Sequence, residues 1–85
     1  MPRFFFHVSN GHGEIPDNEG LDLESQSAAR VVALDSIRSM IAEDARQGVI
    51  DLTGHIRIHD DTNNELLSVQ YAEAFKLQLP QERQP

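Results

Sequence analysis

Four histidines, at positions 7, 12, 55 and 59, are the side chains of this 85-residue chain best suited to chemistry near neutral pH. His55 and His59 have the i, i+4 spacing that converges on zinc when it falls on a helix. The run His55-Ile-Arg-Ile-His59 alternates like a strand, where the same spacing spans roughly 13 Å at about 3.3 Å per residue. Two imidazoles that far apart cannot share an ion held ~2 Å from each. His7 could reach one of them from a neighbouring strand, but no third ligand is evident. The expectation is therefore of histidines on a solvated or partner-facing sheet, with no metal and no cofactor.

Other chemistry is thinner still. Asp17-Asn-Glu-Gly-Leu-Asp22 has the acidic look of a calcium loop, yet its glycine comes fourth rather than sixth and no glutamate stands at the twelfth position. Asp60-Asp-Thr-Asn-Asn-Glu65 lacks any glycine, so both segments read as turns. Ser9 beside His7 is a same-face strand pair without a nucleophile elbow, and Asn10-Gly-His-Gly13 lacks the lysine and helix of a phosphate loop. With no cysteine, thiolate chemistry and disulfides are excluded. Nothing here argues for an enzyme.

The elements that must position these side chains are easier to read. Arg3 to Ser9 alternates as a strand, with Phe4, Phe6 and Val8 on one face and Phe5, His7 and Ser9 on the other. Asn10-Gly11 signals a hairpin turn, and Glu14-Ile15 a brief return strand ended by Pro16. Asp17 to Glu24 is an acidic connection with Leu21 and Leu23 tucked inward. From a Ser25 N-cap to Gly48 runs one helix whose inner stripe is Ala29, Ala33, Leu34, Ile37, Met40 and Ile41. Ile50 to Asp60 predicts a long strand with a bulge at Gly54, and Leu66 to Gln70 a return strand. Tyr71 to Leu77 fits either a helical turn or an extended edge.

These elements predict an α+β fold, a small antiparallel sheet in the order β-β-α-β-β with one long helix packed on one face. Residues 1–77 form a single domain and 78–85 a flexible C-terminal tail. The sheet face away from the helix has no evident cover. It would carry Phe5, His7, His55, Arg57, His59, Leu66, Ser68 and Gln70.

Fourteen acidic against seven basic residues give a net charge of −7, and the basic ones are scattered, which argues against nucleic acid. No segment reads as a signal peptide or a membrane span, so a cytoplasmic protein is expected. An acidic chain with an uncovered sheet face points to self-association, as a homodimer, or to an unidentified protein partner. Phe5, His7, His55, Arg57 and His59 are the candidate contact residues. Their histidines would make such a contact sensitive to pH between roughly 5 and 7.

The order Met-Pro-Arg-Phe-Phe-Phe-His-Val8, Pro16-Asp-x-Glu-Gly20, Ala28 to Leu34, then Gly48-x-Ile-Asp-Leu-x-Gly-x-Ile-x-Ile58 resembles a small bacterial domain family of unknown function. Its members open with Met-Pro-Arg/Lys-Tyr/Phe-Phe-Phe-His. The resemblance implies a shared small fold and supplies no activity, cofactor or catalytic residue. Pro16 to Gly20 followed by Ser25 to Ala33 also resembles HicB-like antitoxin domains. That likeness implies a toxin-neutralising or other regulatory protein that binds a small basic partner.

Overall fold

The computed structural model describes residues 1–81; the last four positions of the expected tail lie outside the described residues. Strands β1 (Arg3–Asn10), β2 (Gly13–Ile15) and β3 (Leu21–Asp22) precede helix α1 (Gln26–Arg46). Strands β4 (His55–His59) and β5 (Glu65–Gln70) and a 3-10 turn, Tyr71–Ala74, follow it. The sheet is antiparallel in the order β2-β1-β4-β5, with β3 also paired to β1. No helix among the described residues is long and apolar enough to cross a membrane.

Helix α1 starts where the sequence predicts. Ser25 is extended, and its hydroxyl accepts the Ala28 N–H at 3.1 Å. At the other end Val49 N–H bonds Asp44 O and Gly48 N–H bonds Ala45 O, with Gly48 at φ +90°, so the helix closes in a Schellman motif. Ala29, Ala33, Ile37 and Ile41 are buried along one stripe. The two alanines let the helix axis lie close to the sheet, where it meets Phe4, Ile56, Ile58 and Val69. Burying a side chain such as Ile37 contributes roughly 1.5–3 kcal/mol.

Four features differ from the sequence reading. The hairpin loop is Gly11-His12, because Asn10 pairs with Gly13, and the positive φ is spent at Gly13 (+116°). Leu21-Asp22 pairs with Arg3-Phe4 as an extra strand, which leaves Leu21 exposed and only Leu23 packed on the core. The strand predicted from Ile50 begins at His55. Ahead of it Asp51 Oδ1 accepts the Thr53 N–H and hydroxyl, a local turn that competes with ladder bonding. Finally, the bulge lies near His59 rather than at Gly54, since Ile58 faces Leu67 while His59 faces Glu65. That extra residue turns Leu66 onto the core with Leu67, so Leu66 is not on the open face.

Gly54 has a different task. A Cβ there would lie 2.7 Å from the Tyr71 ring and 2.8 Å from Ser9 O. Tyr71 is buried across it, and the 3-10 turn is tied back to the helix by Arg38 Nε donating to Ala74 O at 2.8 Å.

Candidate functional site

Strand β1 has β4 along one edge and two short strands along the other. Its outer edge meets β2 over Val8–Asn10 and β3 over Arg3-Phe4, and the gap between them leaves residues 5–7 without a ladder partner on that side. The Pro16–Gly20 turn fills the gap. Asp17 Oδ2 accepts the Phe6 N–H at 3.0 Å, and Asp17 N–H donates to His7 Nδ1 at 3.1 Å. Asp17 Oδ1 accepts from Glu19 and Gly20 N–H. Gly20 has φ +72°, and a Cβ there would stand within 3.0 Å of Arg3, Phe4 O and Phe5. Burial pushes the Asp17 carboxyl up. The Phe6, Gly20 and Glu19 N–H groups and nearby His7 outweigh it and hold the carboxyl below its usual value.

On the face away from α1 the register sets Phe5 opposite His59, His7 opposite Arg57 and Ser9 opposite His55. All five predicted contact residues, Phe5, His7, His55, Arg57 and His59, are partly buried and share that face. They do not form one cluster. His7 and His59 meet edge to face, 4.6 Å between ring centroids, whereas His55 stands two pairs along the strands beside Ser9 and Gln70. No group of three His, Cys, Asp or Glu among the described residues could hold a metal ion.

His7, Arg57 and His59 are each held by a neighbour that sequence reasoning missed. Because His7 Nδ1 accepts a peptide N–H, the proton of its neutral ring sits on Nε2. His59 Nδ1 lies 3.0 Å from Asn63 Oδ1 and Arg57 Nη2 lies 2.6 Å from Glu14 Oε1. His59 Nε2 and Arg57 Nε are buried without a hydrogen-bond partner, the nearest carboxylate to the former being Glu65 at 3.8 Å. Glu14 was legible only from the hairpin register that sets it opposite Ser9. Asn63 is marked by its positive φ of 65°, which an asparagine tolerates in a tight turn.

Two shallow concavities result. One of about 290 Å³ is bounded by His7, Glu14, Pro16, Arg57, His59 and Asn63. Beside it, one of about 260 Å³ has Phe5 and His7 next to Asp17, Asp60 and Asp61. The Asn64 N–H, the Thr62 hydroxyl and the Thr62 N–H all bond the Asp60 carboxyl and hold it below its usual value. The aromatic and imidazole centre is thus rimmed by carboxylates, of which Asp17 and Asp60 are held below the usual value by their hydrogen bonds.

The chain belongs to the family described as Domain of unknown function (DUF6894), whose match spans residues 3–72. No curated protein and no solved structure matches it.

Proposed function

We propose that this domain is a non-catalytic protein-interaction module whose open sheet face docks a basic segment of a partner protein. One observation carries the reading: beside Phe5, the His7, Arg57 and His59 side chains are pre-ordered by Asp17, Glu14 and Asn63 on a face with no covering layer among the described residues. Side chains already fixed lose little freedom on binding, which favours recognition by such a face.

The rim chooses the partner. Glu14, Asp17, Asp60, Asp61 and Glu65 surround the cluster on a chain of net charge −7, so a cationic segment gains attraction and an anionic one repulsion. A small basic protein, the partner class of a toxin-neutralising regulator, fits that field; nucleic acid does not. The absence of a catalytic role is part of the same proposal. The Nδ1 lone pair of His7 is engaged by a backbone N–H, so that nitrogen is not free to act as a base.

The test is amide chemical-shift mapping of the isotope-labelled protein titrated with oligolysine, and with oligoglutamate as control. Shifts concentrated in β1, β4 and residues 60–63, with oligolysine alone, are expected. Shifts of equal size with both peptides, or centred on helix α1, would sink the proposal.

A further inference from the structure

The Asn10-Gly11 pair signals a turn in the sequence, yet the turn proper is Gly11-His12, and Asn10 closes it as the last residue of β1. From there Asn10 Oδ1 accepts the His12 N–H at 2.8 Å. Such a contact, two residues on, folds the carboxamide back across the Gly11 peptide and brings Cγ toward the Gly11 nitrogen. Asn10 Nδ2 has only a long contact, 3.5 Å, to the Tyr71 hydroxyl. Gly11 is exposed, has no side chain to shield its nitrogen, and its N–H makes no hydrogen bond among the described residues. The pair opens onto a concavity of about 270 Å³, shared with His12, Asp44 and Asp51, through which water reaches it.

The other three asparagines lack this combination. The peptide nitrogen after Asn18, that of Glu19, donates to Asp17 Oδ1 at 3.1 Å. The one after Asn63, that of Asn64, donates to Asp60 Oδ1 at 2.9 Å. Asn64 has its own carboxamide nitrogen tied to the Thr62 hydroxyl at 2.8 Å, and a glutamate side chain follows it.

We infer that Asn10 is a site of spontaneous covalent modification, at which the Gly11 backbone nitrogen displaces ammonia from the Asn10 carboxamide in the folded protein. The Gly11 nitrogen gives up its proton and its lone pair bonds to Asn10 Cγ. The Cγ–Nδ2 bond breaks, and the amide group leaves as ammonia with one proton regained. The fold holds the two reacting atoms together, which is the usual source of such an advantage. The product is a five-membered succinimide, which water opens at one of its two carbonyls. Opening at Cγ gives aspartate, a new negative charge beside Asp44 and Asp51. Opening at the main-chain carbonyl gives isoaspartate, which routes the backbone through the side chain and adds one methylene between β1 and the turn. That second product reaches the open face. The hairpin register that sets Glu14 against Ser9 also holds Glu14 2.6 Å from Arg57, and a longer turn shifts it.

The inference is independent of the proposed docking of a basic partner, and no binding measurement enters its test. The experiment is ageing in mildly alkaline buffer, followed by peptide mass mapping and enzymatic methylation of isoaspartate. The samples are the folded wild type, the wild type unfolded in guanidinium, and Gly11→Ala. A Cβ at Gly11 would meet Asp51 Oδ2 at 3.4 Å, an ordinary contact, so Gly11→Ala should keep the wild-type circular dichroism while its methyl hinders the attack. Expected are conversion at Asn10 severalfold faster than at Asn18, Asn63 or Asn64, a folded-state rate no lower than the unfolded one, and severalfold slowing in Gly11→Ala. A faster reaction in the unfolded chain would show that the hairpin protects Asn10 and would overturn the inference. Conversion spread evenly over the four asparagines would overturn it too. An isoaspartate fraction whose Glu14 and Arg57 amide shifts equal those of fresh protein would refute the effect on the open face.

Discussion

The backbone N–H of Asp17 donates to Nδ1 of His7, while the Asp17 carboxylate accepts the N–H of Phe6 one residue earlier on the same strand. One turn residue thus does for β1 what a neighbouring strand would do, and in the same contact fixes the tautomer of a histidine on the open face. The Pro16–Gly20 motif is a structural splice with a consequence for the site.

Asp17→Ala removes the acceptor for three backbone N–H groups at once. A loss of about 2 kcal/mol is expected, because hydrogen bonds to a charged group are worth roughly 1.5–3 kcal/mol and the Phe6 N–H is part-buried. Asp17→Asn keeps one oxygen and should fall between. Urea unfolding of the three proteins measures this; a change in the alanine variant within experimental scatter would refute the splice.

The same carboxylate gives the acid limb its sign. Its pKa is depressed in the folded state, so its contribution is fully present above the unfolded value of about 3.9 and is lost as pH falls toward the folded one. Asp60 behaves alike. Stability of the wild type should drop below about pH 4, and the drop should be shallower in Asp17→Asn. Melting temperature against pH for the two proteins checks it, and parallel curves would contradict it.

How much of this was legible in the sequence depends on the range of the interaction. The helix was, from Ser25 to Gly48, because capping and apolar spacing are local. The alternation Phe4, Phe6 against Phe5, His7 also carried through, since a strand's two faces are fixed by backbone geometry. What was hidden depends on register. Nothing local says that Asn63 will sit beside His59, that Leu66 will be turned inward by a bulge, or that an acidic turn will complete the edge of β1. Gly54 looked like a bulge because the tyrosine that lies over it is seventeen residues away.

Gly54→Ala tests that last contact. With ordinary φ, the substitution acts through overpacking alone, the new methyl meeting the Tyr71 ring at 2.7 Å and Ser9 O at 2.8 Å. A destabilisation of about 1–3 kcal/mol is expected, with a change in Tyr71 fluorescence. Chemical denaturation followed by that fluorescence would show it; an unperturbed midpoint would mean that the ring can move aside at little cost.

Ser25→Ala should cost about 1 kcal/mol, the usual worth of a side-chain N-cap. Ser25→Asp should retain or slightly raise stability, since the first turn of α1 carries no acidic residue to meet the helix dipole. Thermal melts of the two variants would settle it, and equal melting temperatures would contradict the cap.

The ladder of β1 with β4 has a further consequence for synthesis. Phe5 pairs with His59, so the Phe4-Phe5-Phe6 run leaves the ribosome about fifty residues before its main partner. At roughly 5–20 residues per second that is a delay of seconds. During it the three phenylalanines and an open strand edge are available to any chaperone or to another nascent chain. The short strands that the chain makes next, β2 and β3, are the earliest partners β1 can find, and between them they shelter one edge until the helix and β4 arrive.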